Sequence, residues 1–334
     1  MMSMRSPFAL VVAGLAFVLA MSAIPARAQS LTYRSGQNVA PAFEGWEEDE
    51  QGNRFFLFGY MNRNWEEEID VPVGADNAFS PGSPDQGQPT HFLPRRNRFI
   101  FKVPVPKAFT EKDELIWTIT SHGKSEKAYA SVRTDYKLDN VTKMSETGAL
   151  GAGTSSPEIR ANIPPTVTVL GSRKLTAKVG QPLQIVTQVK DDGIPKRRLP
   201  GLAGAAVSNS GSRRDVVTAA GTDGNERNPQ VANLMTAPPR RATVGKNVGL
   251  HVTWFQYRGP GKVSFSPEQI ASWEDTRTGA NSPWSPIWIA PPLPEDGKVP
   301  VTVSFDAPGT YVLRVRADDG GLTGDDDVTV TVTK

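Results

Sequence analysis

Apolar positions along this chain recur with period two, in short runs. Phe99, Phe101, Val103 and Val105 share one parity, and Leu115, Trp117 and Ile119 alternate with Ile116, Thr118 and Thr120. Successive side chains of a strand point to opposite faces, so alternation over a few residues, broken by Pro and Gly, predicts strands. FFLFGYMNRNW (Phe55 to Trp65) reads as a strand followed by an Asn-rich turn. No capped apolar stripe of helical period runs past about ten residues.

The same rhythm returns from Pro164. PPTVTVLGSRKLTAKVGQPLQIVTQVKDDG predicts two strands with Leu183, Ile185 and Val189 inward. In VGLHVTWFQYRGPGKVSF, Val248, Leu250, Val252 and Trp254 share a face and leave His251 outward. In TYVLRVRADDG, Tyr311, Leu313 and Val315 oppose Arg314 and Arg316; VPVTVSF and DVTVTVTK supply further strands. The expected fold is all-β, with two β-sandwich domains, because short strands between turns at modest spacing are the pattern of a sandwich.

Between these halves, residues 138–163 are small, polar and aperiodic, which predicts a flexible linker. The expected boundaries are a signal peptide over 1–28, an N-terminal sandwich over 29–137, the linker, and a C-terminal domain over 164–334. The last contains an insert at about 195–246, rich in Gly, Ala, Ser, Asn and Pro, with nine basic residues against three acidic ones. Its composition predicts disorder. Its charge suits a solvated tether, or an acidic glycan, lipid head groups or nucleic acid.

Residues 1–28 read as an export signal. Arg5 gives a positive start, Phe8 to Ile24 is almost unbroken apolar sequence, and Ala26-Arg27-Ala28 has the small-x-small form of a cleavage site, with Gln29 beginning the mature chain. The run is short for a membrane span and no later stretch is long enough, so no transmembrane anchor is expected after cleavage. Removing Arg5 and Arg27 leaves 35 basic against 35 acidic residues. A globally basic nucleic-acid binder is thereby disfavoured. The chain has no Cys and only three His, which excludes disulfides, thiolate metal sites and a cysteine nucleophile, and leaves little for a multi-His centre.

The PPTVTV opening, VGQPLQIVTQVKDDG, VTWFQYRGPGKVSF, FDAPGTYVLRVRADDGG and the closing DVTVTV occur in an order that resembles the PKD-like and cadherin-like immunoglobulin-fold domains of bacterial surface proteins. The resemblance covers about 115 residues between Pro164 and Lys334, outside the insert. It implies a core Trp at Trp254, a tyrosine corner at Tyr311 after Asp306-Ala307-Pro308-Gly309-Thr310, and apolar packing of Ile185 and Leu313 where antibody domains place their disulfide. The N-terminal half is placed in no family.

On that topology, Asp191 and Asp192 end the second strand, Asp318 and Asp319 end the sixth, and Asp325, Asp326 and Asp327 open the seventh, all at the pole where the linker enters. Seven crowded carboxylates suggest calcium, a hard cation that takes oxygen ligands; the plainer reading is turn-forming Asp residues in water. Trp46, Tyr60 and Trp65, or Trp284 and Trp288, suit an aromatic platform for sugars, with core filling as the competing role. Glu66, Glu67, Glu68 and Asp70 suggest a glycosidase acid pair, or simply a charged strand edge. Ser121-His122 lacks a nucleophile elbow and a placed acid, and His91 and His122 read as turn or surface residues. The function expected is an exported, non-enzymatic cell-envelope or surface interaction module, periplasmic, cell-surface or secreted, binding polysaccharide or another envelope protein. The alternatives are an envelope hydrolase using His91, His122, Asp70 and Glu68, or a structural spacer.

Overall fold

A computed structural model describes residues 33–147, 156–196, 249–273 and 292–334. The signal segment with Ala28 and Gln29, most of the basic insert, Trp284 and Trp288 lie outside the described residues.

Among the described residues, the N-terminal half carries eight strands. β1 (Val39–Glu48), β2 (Arg54–Asn62) and β6 (Arg95–Val105) form one antiparallel sheet in the order β1-β2-β6. β4 (Asn77–Ser80), β7 (Leu115–Ser121) and β8 (Lys124–Ala130) form a second, and β3 (Ile69–Asp70) pairs with β5 (His91–Phe92). The alternation over 115–121 lands as expected: Leu115, Trp117, Ile119 and Ser121 are buried and the residues between them are not. Trp117 stacks on Phe79 and meets Phe58 and Phe101 edge-on, with ring centres 5.1 to 5.8 Å apart. Its indole N–H donates to Asn77 Oδ1 at 2.9 Å, so the largest core ring keeps no unpaired polar atom. Buried amides fasten the irregular connections. Asn62 donates to Glu67 O and Phe92 O, and Asn77 donates to Val71 O and Pro89 O.

In β6 the expected parity fails at Phe99. Phe101 pairs with Phe58 and Asn97 pairs with Tyr60, so residues 98–100 together face the single residue Gly59. This bulge puts Phe99 in the left-handed region at φ 50° and turns Ile100 inward in its place. A second bulge lies in β1 at Gly45, with φ 136°. A Cβ at Gly45 would stand 2.6 Å from Tyr136 O, where the chain crosses β1 and Leu138 N–H donates to Trp46 O.

The C-terminal half is an immunoglobulin-like sandwich. β9 (Thr166–Val169), β11 (Leu183–Lys190), β13 (Val263–Ser266) and β14 (Lys298–Phe305) form the sheet β13-β14-β11-β9. β10 (Lys174–Lys178), β12 (His251–Arg258), β15 (Gly309–Asp318) and β16 (Thr323–Thr333) form β10-β16-β15-β12, with β10 parallel to β16. The core contains Ile185, Trp254, Tyr311, Leu313 and Val315. The Tyr311 hydroxyl donates to Ala307 O at 2.8 Å, closing a tyrosine corner.

His251, expected outward, is buried, and so are Arg314 and Arg316. The reason is tertiary. The outer face of the β12–β15 sheet packs on the N-terminal sandwich, whose core takes in Phe255 and Tyr257 and is touched by Val312 and Trp273. Tyr33 to Lys334 accordingly forms one compact unit.

Where composition suggests a flexible linker, the described residues carry two short helices. Asn140–Thr147 starts under Asp139, whose carboxylate accepts from Thr142 N–H at 2.7 Å. Pro157–Arg160 starts under Ser156, which accepts from Ile159 N–H at 3.3 Å, with Pro at the first helical position. Met144 and Asn162 are buried. Eight and four residues are too few to show a helical period in sequence.

Candidate functional site

The two sandwiches meet along a polar seam. The guanidinium of Arg314 makes two bonds to Asp327 at 2.7 Å, donates to Ile100 O across the seam, and covers the Tyr257 ring. Arg316 pairs in the same forked way with Asp325 and donates to Phe99 O at 3.2 Å. Burial alone would weaken both charges, but the facing carboxylates more than reverse this and hold both guanidinium groups firmly protonated. The sheet pairing explains the match: Arg314 lies opposite Asp327 and Arg316 opposite Asp325 on neighbouring strands.

The loop after β4 fastens the free edge of β12. Tyr257 donates to Gly87 O at 2.5 Å and Thr90 N–H donates to Tyr257 O. Arg258 donates to Gln88 O and makes two bonds to Asp85. Farther along, Trp254 N–H donates to Gln269 Oε1. An edge strand that would otherwise offer bare backbone is thus closed by its own chain.

Beside the seam lies a constellation the sequence contained without showing its geometry. His91, expected at the surface, is buried, with Nδ1 2.8 Å from Asp70 Oδ1 and Nε2 3.2 Å from Glu68 Oε2. The pairing of β3 with β5 sets Asp70 opposite His91 across 21 residues of chain. Burial pulls the imidazole pKa down, and the bonds to Asp70 and Glu68 outweigh this, pushing it up to about 9. His91 is therefore a cation at neutral pH with both N–H groups engaged. It holds two carboxylates together and has no free nitrogen to accept a proton. His122, the fourth residue of the hydrolase reading, instead pairs with Glu67 at 3.0 Å, and Glu66 pairs with Arg34. Ser121 Oγ accepts from Val39 N–H at 2.8 Å.

Trp46, Tyr60 and Trp65 expose 7%, 2% and 8% of their surface. Trp46 donates to Arg133 O, Tyr60 accepts from Leu93 N–H, and Trp65 lies beneath Arg95, whose guanidinium carbon is 3.9 Å from the ring centre. Their faces are covered by protein, so a sugar would reach them only if the surrounding structure moved.

The seven aspartates separate into two groups. Asp325 and Asp327 face the seam arginines, while Asp326 accepts from Val169 N–H and pairs with Arg173. Asp191, Asp192, Asp318 and Asp319 accept backbone N–H groups two or three residues on, as turn-forming aspartates do, and Asp192 also accepts from Ile163 N–H. The last bond brings the segment before β9 to this pole, as the topology suggested. Among the described residues no group of three or more His, Asp or Glu side chains is close enough to hold a metal ion.

No family model matches this chain, and no curated protein does. Similar solved structures include a conjugative transposon lipoprotein from Bacteroides eggerthii, at 12% identity and TM-score 0.24, covering 50% of this chain and 96% of that one. Domains 4 and 5 of the S-layer protein SbsC match at 11% identity and TM-score 0.22, covering 89% and 98%. The Yersinia pseudotuberculosis adhesin InvE matches at 10% and 0.21, covering 89% and 59%. At these values the likenesses carry no argument, and the fold rests on the strand pairing described above.

Proposed function

We propose that this chain is an exported, non-enzymatic module of the cell envelope or surface that binds a polysaccharide or another envelope protein. The observation that carries the reading is the seam. Two sandwiches fastened by buried Arg314 and Arg316 form a stiff body that presents its outer surfaces in fixed relation, which suits recognition. A spacer has no need of buried charge between its modules, since such pairs are costly to desolvate. Export rests on the pattern of residues 1–28. A PKD-like assignment of the C-terminal sandwich rests on its strand order together with Trp254 and the Tyr311 corner.

A hydrolase is the second reading, favoured by the meeting of Glu68, Asp70 and His91. The doubly bonded, protonated imidazole argues against it, because a general base needs a free lone pair at working pH. The test is cell fractionation of the tagged full-length chain, followed by a glycan array and an envelope pull-down with the exported product. Capture of a polysaccharide or envelope protein is expected. A cytoplasmic product, or hydrolysis of an envelope polymer that His91→Gln abolishes, overturns the proposal.

A further inference from the structure

Trp46, Tyr60 and Trp65 are covered, but one ring of the N-terminal sandwich stands open. Tyr129, in the middle of a paired strand, exposes 52% of its surface. Tyr136, at 45%, packs edge-on against Phe43 with ring centres 5.6 Å apart. Among the described residues, Tyr129 meets no other ring and its hydroxyl is unbonded.

The strand period puts it there. Leu115, Trp117 and Ile119 of β7 and Ala128 and Ala130 of β8 turn into the core, so the residues between them turn out. The register then sets three rows across the outer face of the β4-β7-β8 sheet. Tyr129 lies opposite Ile116, which lies opposite Ser80; Lys127 opposite Thr118; and Ser125 opposite Thr120. Among the described residues, the hydroxyls of Ser80, Thr118, Thr120 and Ser125 bond to no other residue and Lys127 has no ion pair. Of the outward residues paired in these strands, Lys127 alone is charged.

The face is rigid. Its hairpin closes through the two residues His122 and Gly123, both left-handed at φ 46° and 71°, a turn whose twist matches that of the strands. His122 is pinned from outside by Glu67 at 3.0 Å. The face is also small. Three strands about 4.8 Å apart and about 20 Å long present on the order of 300 Å², against about 800 Å² that each partner gives to a stable protein interface. A single exposed ring is ordinary on a protein surface. A ring, free hydroxyls and one unopposed cation on a rigid strip narrower than a protein footprint suit an extended polymer.

We infer that this face, centred on Tyr129, binds an acidic polysaccharide. A sugar ring lays its C–H face on Tyr129, its hydroxyls exchange hydrogen bonds with Thr118, Thr120 and Ser125, and a carboxylate of the chain pairs with Lys127. The inference rests on the polysaccharide reading above and gives it a place and a charge.

The test is surface plasmon resonance of the full chain over immobilised alginate, a polymer of uronic acids, and over neutral dextran. Wild type is expected to prefer alginate. Tyr129→Ser is expected to weaken alginate binding about tenfold. Lys127→Gln is expected to weaken it about threefold at low salt and to flatten its salt dependence. Tyr33→Ser, which alters a ring 44% exposed elsewhere, should change nothing. All three should melt within about 2 °C of wild type, as surface substitutions do. Alginate binding that neither Tyr129→Ser nor Lys127→Gln weakens overturns this site and leaves the polysaccharide reading standing. A chain that captures neither a glycan nor an envelope protein overturns both. Dextran bound as tightly as alginate overturns the acidic class. A dimer or a captured envelope protein that Tyr129→Ser releases gives the face to a protein partner instead.

Discussion

Arg316 donates to the carbonyl oxygen of Phe99 at 3.2 Å, at a residue held in left-handed backbone with φ 50°. The bulge opposite Gly59 tips the carbonyls of Phe99 and Ile100 out of the β2–β6 ladder, and the two seam arginines collect them. Strained backbone persists where its surroundings fix it. Here the fixing groups belong to the other sandwich.

Truncating Arg316 to Met leaves Asp325 without its fork and Phe99 O without its donor. A loss of about 2–4 kcal/mol is expected, since breaking a buried pair strands the remaining charge. Arg316→Lys is expected to recover only part, because an ammonium cannot reproduce two parallel bonds and reach a third acceptor in the same plane. Chemical denaturation of the full chain, followed by Trp fluorescence and circular dichroism, measures this. Coincident wild-type transitions are expected; two separate ones would mean that the seam does not couple the halves.

The His91 clasp carries a pH signature opposite in range to that of an ordinary carboxylate pair. Its folded pKa, about 9, lies above the unfolded value near 6.5, so its stabilisation is complete below about 6.5 and disappears as pH rises through 9. The contribution is on the order of 2–3 kcal/mol at most, because Glu68 and Asp70 are half exposed. His91→Gln is expected to flatten the decline in stability between pH 7 and 10. An unchanged slope in the variant would show that the imidazole is not the titrating group.

Trp46 and Trp65 are expected to act through stability. Trp46→Phe loses the bond to Arg133 O and part of a buried ring, for about 1–3 kcal/mol; Trp65→Leu also releases Arg95. Binding measured well below the melting temperature should be unchanged in both. A selective loss of glycan capture without a melting shift would return these rings to a ligand platform.

The sequence revealed what depends on near neighbours. Period two over 115–121 fixed which side of β7 is buried, and the resemblance to immunoglobulin-fold domains implied the corner at Tyr311. It concealed what depends on distant partners. Arg314 and Arg316 alternate with core residues and so read as solvent-facing, because no local pattern shows that a second sandwich covers them. His91 and Asp70 meet only once β3 pairs with β5, and Phe99 breaks parity because Gly59 lets β6 bulge. The aromatic residues were ambiguous for a different reason: a ring that fills a core and a ring that binds sugar have the same composition, and only exposure separates them.

The tyrosine corner offers a test of packing in which two positions must answer together. Gly259 has φ 150°, and a Cβ there would intrude on the Tyr311 ring. Gly259→Ala is therefore expected to cost about 2 kcal/mol or more, from backbone strain and overpacking combined. Tyr311→Phe keeps the ring and deletes only the bond to Ala307 O, for about 1 kcal/mol. If the clash is with the ring, Gly259→Ala combined with Tyr311→Ala should cost less than the sum of the separate changes by about 1 kcal/mol or more, since the cavity left by the ring accepts the new methyl group. Additive costs, read from urea midpoints at constant m, would assign the whole effect of Gly259→Ala to its backbone angle.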